Sequence, residues 1–124
     1  MRDAQLSPSD IQHINAHATG TDVGDAAEAE AVHRIFGNKV PISALKGYLS
    51  HTLGASGALE SIATIVMMKD GFMAVSKNLD EPDPALPPLD HVLGSARQGP
   101  IKIAMNNNFA FGGINTSLIF RALS

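Results

Sequence analysis

The chain has 124 residues, 44% of them apolar, a net charge of −3 and no cysteine. That length suits one domain, 1–124, with a real hydrophobic core, and the missing cysteines exclude disulfides, thiolate metal sites and the strongest neutral-pH nucleophile. The nine Lys and Arg form no basic run, no apolar stretch reaches the ~18 residues that cross a bilayer and no secretory signal is visible, so the expectation is a soluble cytoplasmic protein with neither nucleic acid nor membrane as partner.

Residues 1–6 read as the end of a helix cut off from what preceded it, followed by the turn Ser7-Pro8-Ser9-Asp10. Residues 11–16 read as a short strand, which puts His17 at a strand end before the turn formers of residues 18–24. Asp25 and Glu28 have capping-box spacing. Ala31, Val32, Ile35 and Phe36 give the next helix an apolar face, and Gly37 stops it. Glu28 and Glu30 read as solvated charges. Residues 40–44 form a second strand that leads into a loop carrying Lys46 and His51.

A nearly all-apolar helix follows. Gly54, Ala55, Ser56, Gly57 and Ala58 crowd its first turns, although glycine inside a helix costs about 1 kcal/mol against alanine; something must approach that backbone closely. Leu59, Ile62, Ala63, Ile65, Val66, Met67 and Met68 leave no polar stripe, so the helix is expected to be buried on most sides until it ends near Asp70-Gly71. Glu60 is its only charge before Lys69. An unpaired buried charge costs several kcal/mol, which makes Lys46 the expected partner. Two readings stand open: a structural ion pair beneath a core helix, or a site that includes His51, whose ring the helix macrodipole would keep neutral and able to donate one N–H.

Residues 72–76 read as a short strand, and Pro82, Pro84, Pro87 and Pro88 force an extended connector in which no helix fits. Residues 91–93 read as an edge strand. Ile101, Ile103 and Met105 alternate with Lys102 and Ala104, residues 117–121 form a last strand, and Gly112-Gly113 sits where a tight turn joins two antiparallel strands. The alternation of strand and helix implies an α/β fold, a mixed β-sheet packed against helices.

His17 and His51 both follow short strands, near the sheet ends where α/β proteins bind ligands. Two imidazoles, a lysine and a carboxylate, with Asp22 or Asp25, could ligate a metal, but no pair has the helical spacing of His-Glu-x-x-His, which disfavours that reading. Alternatively, two neutral imidazole N–H groups converge on one oxygen that becomes negative during reaction, as an enolate or thioester oxyanion requires. Spacing alone leaves both open.

Three stretches resemble a known family: Asn15-Ala-His-Ala-Thr-Gly-Thr21 with Gly24-Asp25, Lys46 and His51 with Gly54-Ala-Ser-Gly57, and Asn108-Phe-Ala-Phe-Gly-Gly-Ile-Asn115. In this order they look like successive signatures of the β-ketoacyl-acyl carrier protein synthases, and Gly57-Ala-Leu-Glu60 is more similar to the discrete fatty-acid elongation synthases than to modular polyketide synthases. The resemblance implies the C-terminal half of a thiolase-like fold. It makes His17 and His51 the pair that binds the malonyl thioester carbonyl and supports decarboxylation, with Lys46 and Glu60 organising them. Thr19 and Thr21 match threonines that touch the phosphopantetheine arm of acyl carrier protein, the implied partner. Phe109 matches the residue whose backbone N–H joins the oxyanion hole and whose ring gates the acyl pocket, with Gly112 and Gly113 shaping the turn behind it. For Phe109 and Phe111, core packing is the competing reading.

The chain departs from the family pattern at Ala18, Leu45, Ser50 and Ala110, where glycine or a hydroxyl residue is usual. Ser50 is able to cap the following helix, and Ala110 stiffens the gate. The larger departure is the cysteine that holds the growing acyl chain, which the family carries in its N-terminal half. The resemblance therefore implies a domain excised from a homodimeric condensing enzyme, inactive alone, using no metal or cofactor of its own. It also implies an exposed apolar patch where the missing half would pack, and self-association through it. A non-catalytic, chain-length-factor-like partner subunit is the alternative; retention of His17, Lys46, His51 and Glu60 together argues against it. A biosynthetic thiolase should carry a second reactive cysteine near this C-terminus.

Overall fold

Three short strands and two longer ones build the frame, and a computed structural model describes residues 1–123. Strands β1 (His13–Asn15), β2 (Pro41–Ser43), β4 (Asp90–His91), β6 (Ile103–Ala110) and β7 (Ile114–Arg121) form one sheet in the order β4-β2-β1-β6-β7. The first four run parallel and β7 returns antiparallel beside β6, so the sheet is mixed. A separate ribbon pairs β3 (Phe72–Met73) with β5 (Arg97–Gln98).

Alternation along the strands splits the core into two faces. Ile14, Ile42 and Met105 point to helix α1 (Asp22–Phe36), where they pack with Val32 and Phe36. Ala104 lies on the other face, in a cluster with Met67 of helix α3 (Ser56–Asp70), Leu45, Met73, Val92 and Ile101. That second face is unusually polar: His13, Asn15, Ser43 and Asn106 are fully buried, as are Glu60 and Thr64 of α3. Buried polar groups must be hydrogen-bonded. Asn15 Nδ2 donates to Asn106 Oδ1 at 2.8 Å, and Asn106 Nδ2 reaches Ser61 Oγ at 3.0 Å, tying sheet to helix.

Several expected boundaries change. Residues 2–5 form turns instead of a helix end, and Pro8–Asp10 is a single 3-10 turn. Helix α1 starts at Asp22 behind Thr21, one turn before the expected Asp25 cap; Asp25 instead accepts from Gly20 N, and the Asp25–Glu28 capping box does not form. The Lys46 loop contains a short helix, α2 (Lys46–Leu49), and Leu53–Ala55 is a 3-10 turn that delays α3 to Ser56. Ser50 does not cap the following helix: it closes α2 at φ 60°, ψ 173°, its N–H donating to the Lys46 carbonyl, while Ser56 Oγ accepts from Thr52 N.

Helix α3 is not buried on most sides. Its buried residues are Ser56, Glu60, Thr64 and Met67, one stripe at helical spacing, while Leu59, Ile62, Ile65 and Val66 are exposed. The close approach expected at its small residues occurs at Gly57, where an added Cβ would lie 3.4 Å from the Asn108 side chain. The expected strand 72–76 shortens to two residues, and the edge strand shifts to Asp90–His91. No helix or strand interrupts residues 74–89. The last two strands extend to eight residues each around a turn at Phe111–Gly113, where Gly112 and Gly113 both take φ near +80°.

Candidate functional site

The C-terminal ends of parallel strands are where an α/β sheet presents its loops. His17 lies two residues beyond β1, Lys46 opens α2 after β2, and Phe109 is near the end of β6. The His17 and His51 rings stand 5.5 Å apart, centroid to centroid, at an interplanar angle of 89°. Phe109 lies edge-on to His17 at 5.5 Å. Lys46 Nζ donates to Glu60 Oε1 at 2.6 Å and makes a longer contact, 3.4 Å, with His17 Nδ1. Because an ammonium has only hydrogens to offer, that contact makes His17 Nδ1 the acceptor and leaves the ring hydrogen on Nε2.

The four polar residues of the sequence reading therefore meet in one place. The Lys46 and Glu60 side chains are 7% and 1% exposed, so neither ion is left to water. Burial pushes the Glu60 carboxyl upward, while the Lys46 hydrogen bond and charge pull it down. His17 is held below the ordinary imidazole value by burial and by the nearby Lys46 and His51, against an opposing pull from Asp25. The His17 ring is thus neutral near pH 7. Position 47 is glycine for a steric reason: a Cβ there would fall 2.6 Å from the Lys77 carbonyl oxygen. Lys77 in turn sets its ammonium 5.4 Å over the Tyr48 ring, so the segment after β3 braces the helix that carries Lys46.

Glu28 overturns the solvated reading. It is 6% exposed, and its carboxylate accepts from His17 N at 3.0 Å, Ala18 N at 2.8 Å and Asn107 Nδ2 at 3.3 Å. Those bonds hold the backbone of the His17 loop, where Ala18 takes φ 31°. Burial raises the Glu28 carboxyl while these donors lower it. A sequence signal existed: Glu28, Val32 and Phe36 share one helical stripe at intervals of four. Glu30 is exposed. Asn106, Asn107 and Ser56 were also missed, since nothing in a short polar residue announces burial.

Thr19 and Thr21 sit together, Oγ1 to Oγ1 at 3.0 Å. They line a cavity of about 950 Å³ together with Lys46 and His51, walled on its far side by the proline-rich segment from Leu79 to Leu89. Phe111 is 99% exposed and belongs to neither core cluster, so core packing does not account for it. Among the described residues no three His, Asp or Glu side chains gather to hold a metal ion, and no helix is long and apolar enough to cross a membrane.

Comparison with known proteins agrees with this architecture. The family model for the beta-ketoacyl synthase C-terminal domain matches residues 1–80. The 3-oxoacyl-[acyl-carrier-protein] synthase 2 of Mycobacterium leprae (strain TN) is 48% identical over 118 residues, 94% of this chain and 28% of that protein. A crystal structure of a beta-ketoacyl synthase from Burkholderia phymatum STM815 superposes with a TM-score of 0.96 at 54% identity, covering 99% of this chain and 30% of that one. A type II polyketide acyl-carrier protein in complex with its ketosynthase, AntDE:AntF, contains a chain matched at a TM-score of 0.91 and 32% identity, over 99% of this chain and 31% of its own length. The chain spans less than a third of each of these relatives, and its fold is the C-terminal part of their thiolase-like architecture. It belongs to the beta-ketoacyl synthase C-terminal domain family.

Proposed function

We propose that residues 1–124 supply the decarboxylation machinery of a β-ketoacyl-acyl carrier protein synthase, the enzyme that condenses an acyl thioester with malonyl-acyl carrier protein. The observation that carries this reading is the 5.5 Å approach of two imidazoles beside a buried Lys46–Glu60 pair. In the proposed step the two Nε2–H groups donate to the malonyl thioester oxygen. The bond to the carboxylate breaks, carbon dioxide leaves, and the electron pair is held as an enolate whose oxygen the two donors stabilise. The enolate carbon then attacks an acyl thioester on a cysteine, the new carbon–carbon bond forms, and the thiolate departs.

That cysteine is not among these 124 residues, so the chain by itself is assigned no condensing activity. Lys46 holds His17 Nδ1, and Glu60 offsets the lysine charge. Thr19 and Thr21 are assigned to the phosphopantetheine arm of acyl carrier protein, the Phe109 backbone N–H to the acyl oxyanion and its ring to the gate of the acyl pocket, with Phe111 beside the substrate and Gly112 and Gly113 shaping the turn behind. None of these steps asks for a resident metal or cofactor, and the whole enzyme is proposed to act as a homodimer. The relatives' printed names support carrier-protein substrates, and retention of all four polar groups opposes a non-catalytic partner subunit.

The test is a graft in which these residues replace the matching segment of a 3-oxoacyl-[acyl-carrier-protein] synthase 2. The isolated chain is expected to form no β-ketoacyl product and the graft to form it. Product from the isolated chain, or a folded graft without any, contradicts the proposal.

A further inference from the structure

His51 is exposed, yet one edge of its ring is tied down: Nδ1 lies 3.0 Å from the hydroxyl of Ser56, itself only 3% exposed. Ser56 is the first residue of α3, and the sheet fixes its place. Asn106 Nδ2 donates to the Gly57 carbonyl at 3.3 Å, and Gly57 packs on the Asn108 side chain. The backbone around His51, by contrast, does not relax into position, since Ser50 and Leu53 take φ of 60° and 53°. Both are non-glycine residues in the left-handed region, which costs energy that neighbouring contacts must offset.

We infer that Ser56 is a positioning residue for His51, its hydroxyl donating to Nδ1 so that the ring's own hydrogen stays on Nε2. The inference rests on reading the two imidazoles as a donor pair. Its basis is the parallel with the Lys46 contact to His17 Nδ1, taken with the partners gathered at one oxygen. Ser56 Oγ has three partners: Thr52 N at 2.9 Å, Thr52 Oγ1 at 3.1 Å and His51 Nδ1 at 3.0 Å. A hydroxyl offers one hydrogen and two lone pairs. Thr52 N can only donate, which takes one lone pair. The remaining lone pair and the single hydrogen are divided between Thr52 Oγ1 and His51 Nδ1 in one of two ways, and the arrangement inferred is the one in which Thr52 donates to Ser56 and Ser56 donates to Nδ1. Thr52 is exposed, so water serves the acceptor side of its hydroxyl. The arrangement repeats what Lys46 does for His17: each ring receives a hydrogen bond at Nδ1 and keeps Nε2–H as its outward donor. A bond at the second nitrogen of a functional imidazole fixes tautomer and orientation together.

The test is nitrogen-15 NMR of the 124-residue chain labelled at histidine, with His51 identified by the loss of its signals in His51→Gln. The expected wild-type spectrum shows a protonated Nε2 and a bare Nδ1 shifted by the bond it accepts. Ser56→Ala moves the Nδ1 resonance toward that of an imidazole without a partner, and the signals of buried His13 stay put as the control for folding. Where the alanine variant does not fold, the similarly shaped pair Ser56→Thr and Ser56→Val decides, threonine keeping the wild-type shift and valine losing it. A wild-type His51 with its hydrogen on Nδ1, or an Nδ1 resonance indifferent to loss of the hydroxyl, overturns the assignment. Neither result depends on turnover: an inactive graft with the wild-type tautomer intact defeats the proposed function and leaves Ser56 in its role.

Discussion

Two buried titratable sites set the chemistry at the scale of single residues, and they differ in kind. Lys46 and Glu60 are a desolvated pair, so removing one partner strands a buried charge. Lys46→Met should cost about 3–5 kcal/mol in urea denaturation, while the double variant Lys46→Met with Glu60→Leu should recover most of that loss. Equal losses for the single and double variants would mean the pair is not desolvated as drawn. His13 is a neutral ring sealed in the sheet. Its Nε2 donates to Ser43 Oγ at 3.0 Å, because the Ser43 hydrogen is committed to the Ala74 carbonyl. Burial lowers its pKa from 6.5 to about 4. Between those values the unfolded chain binds the proton and the folded chain does not, so stability is complete above pH 6.5 and falls as pH drops toward 4. The loss amounts to about 3 kcal/mol at 1.36 kcal/mol per pKa unit, and His13→Gln should flatten the profile over that window. At this scale the sequence showed the groups that must find partners, Glu60 and the two histidines, although only His17 lies just beyond a strand while His51 follows α2. It hid Glu28, Asn106 and Ser56, whose roles come from backbone groups and loops far away in sequence.

Helix α3 and the loop before it show how an element serves the site. Its buried stripe is mainly polar, Ser56, Glu60 and Thr64 with Met67, because it faces Asn15, Ser43 and Asn106 across the sheet. Composition alone suggests an all-apolar helix buried all round; which side is covered depends on what the sheet presents, and that is not written within the helix. The strain just ahead of it is chain-specific. Ser50 at φ 60°, ψ 173° occupies a region that is nearly glycine-only, at a cost of order 1–3 kcal/mol. Ser50→Gly should therefore raise stability by about 1 kcal/mol, net of the freedom glycine adds to the unfolded chain. Thermal unfolding checks this, and a lowered midpoint would show that the Ser50 side chain makes stabilising contacts. The start of β6 was legible from alternation, and β2 falls within the strand expected at residues 40–44. Element ends were not legible, since the helix starts behind Thr21 and Ala55 carry no side-chain cap and were decided by loop geometry.

For the whole molecule, the outer stripe of α3 is the telling surface. Leu59, Ile62, Ile65 and Val66 are 39%, 61%, 48% and 43% exposed on one helix, a contiguous apolar strip of a kind that usually meets another surface. The chain should self-associate through it, and Ile62→Lys with Ile65→Glu should abolish concentration-dependent light scattering; a wild-type monomer at high concentration would contradict that. The overall layout, a mixed sheet with one helix on each face and a glycine turn closing β6 onto β7, was readable because strand and helix periods alternate cleanly along the chain.

The central claim is that His17 and His51 together drive decarboxylation, and it is tested most directly by carbon dioxide release from malonyl-acyl carrier protein by the grafted synthase. His17→Asn and His51→Asn should each slow release by about 10²-fold or more, as loss of an oxyanion donor does. A graft carrying both changes that releases carbon dioxide as fast as the unaltered graft would contradict the account.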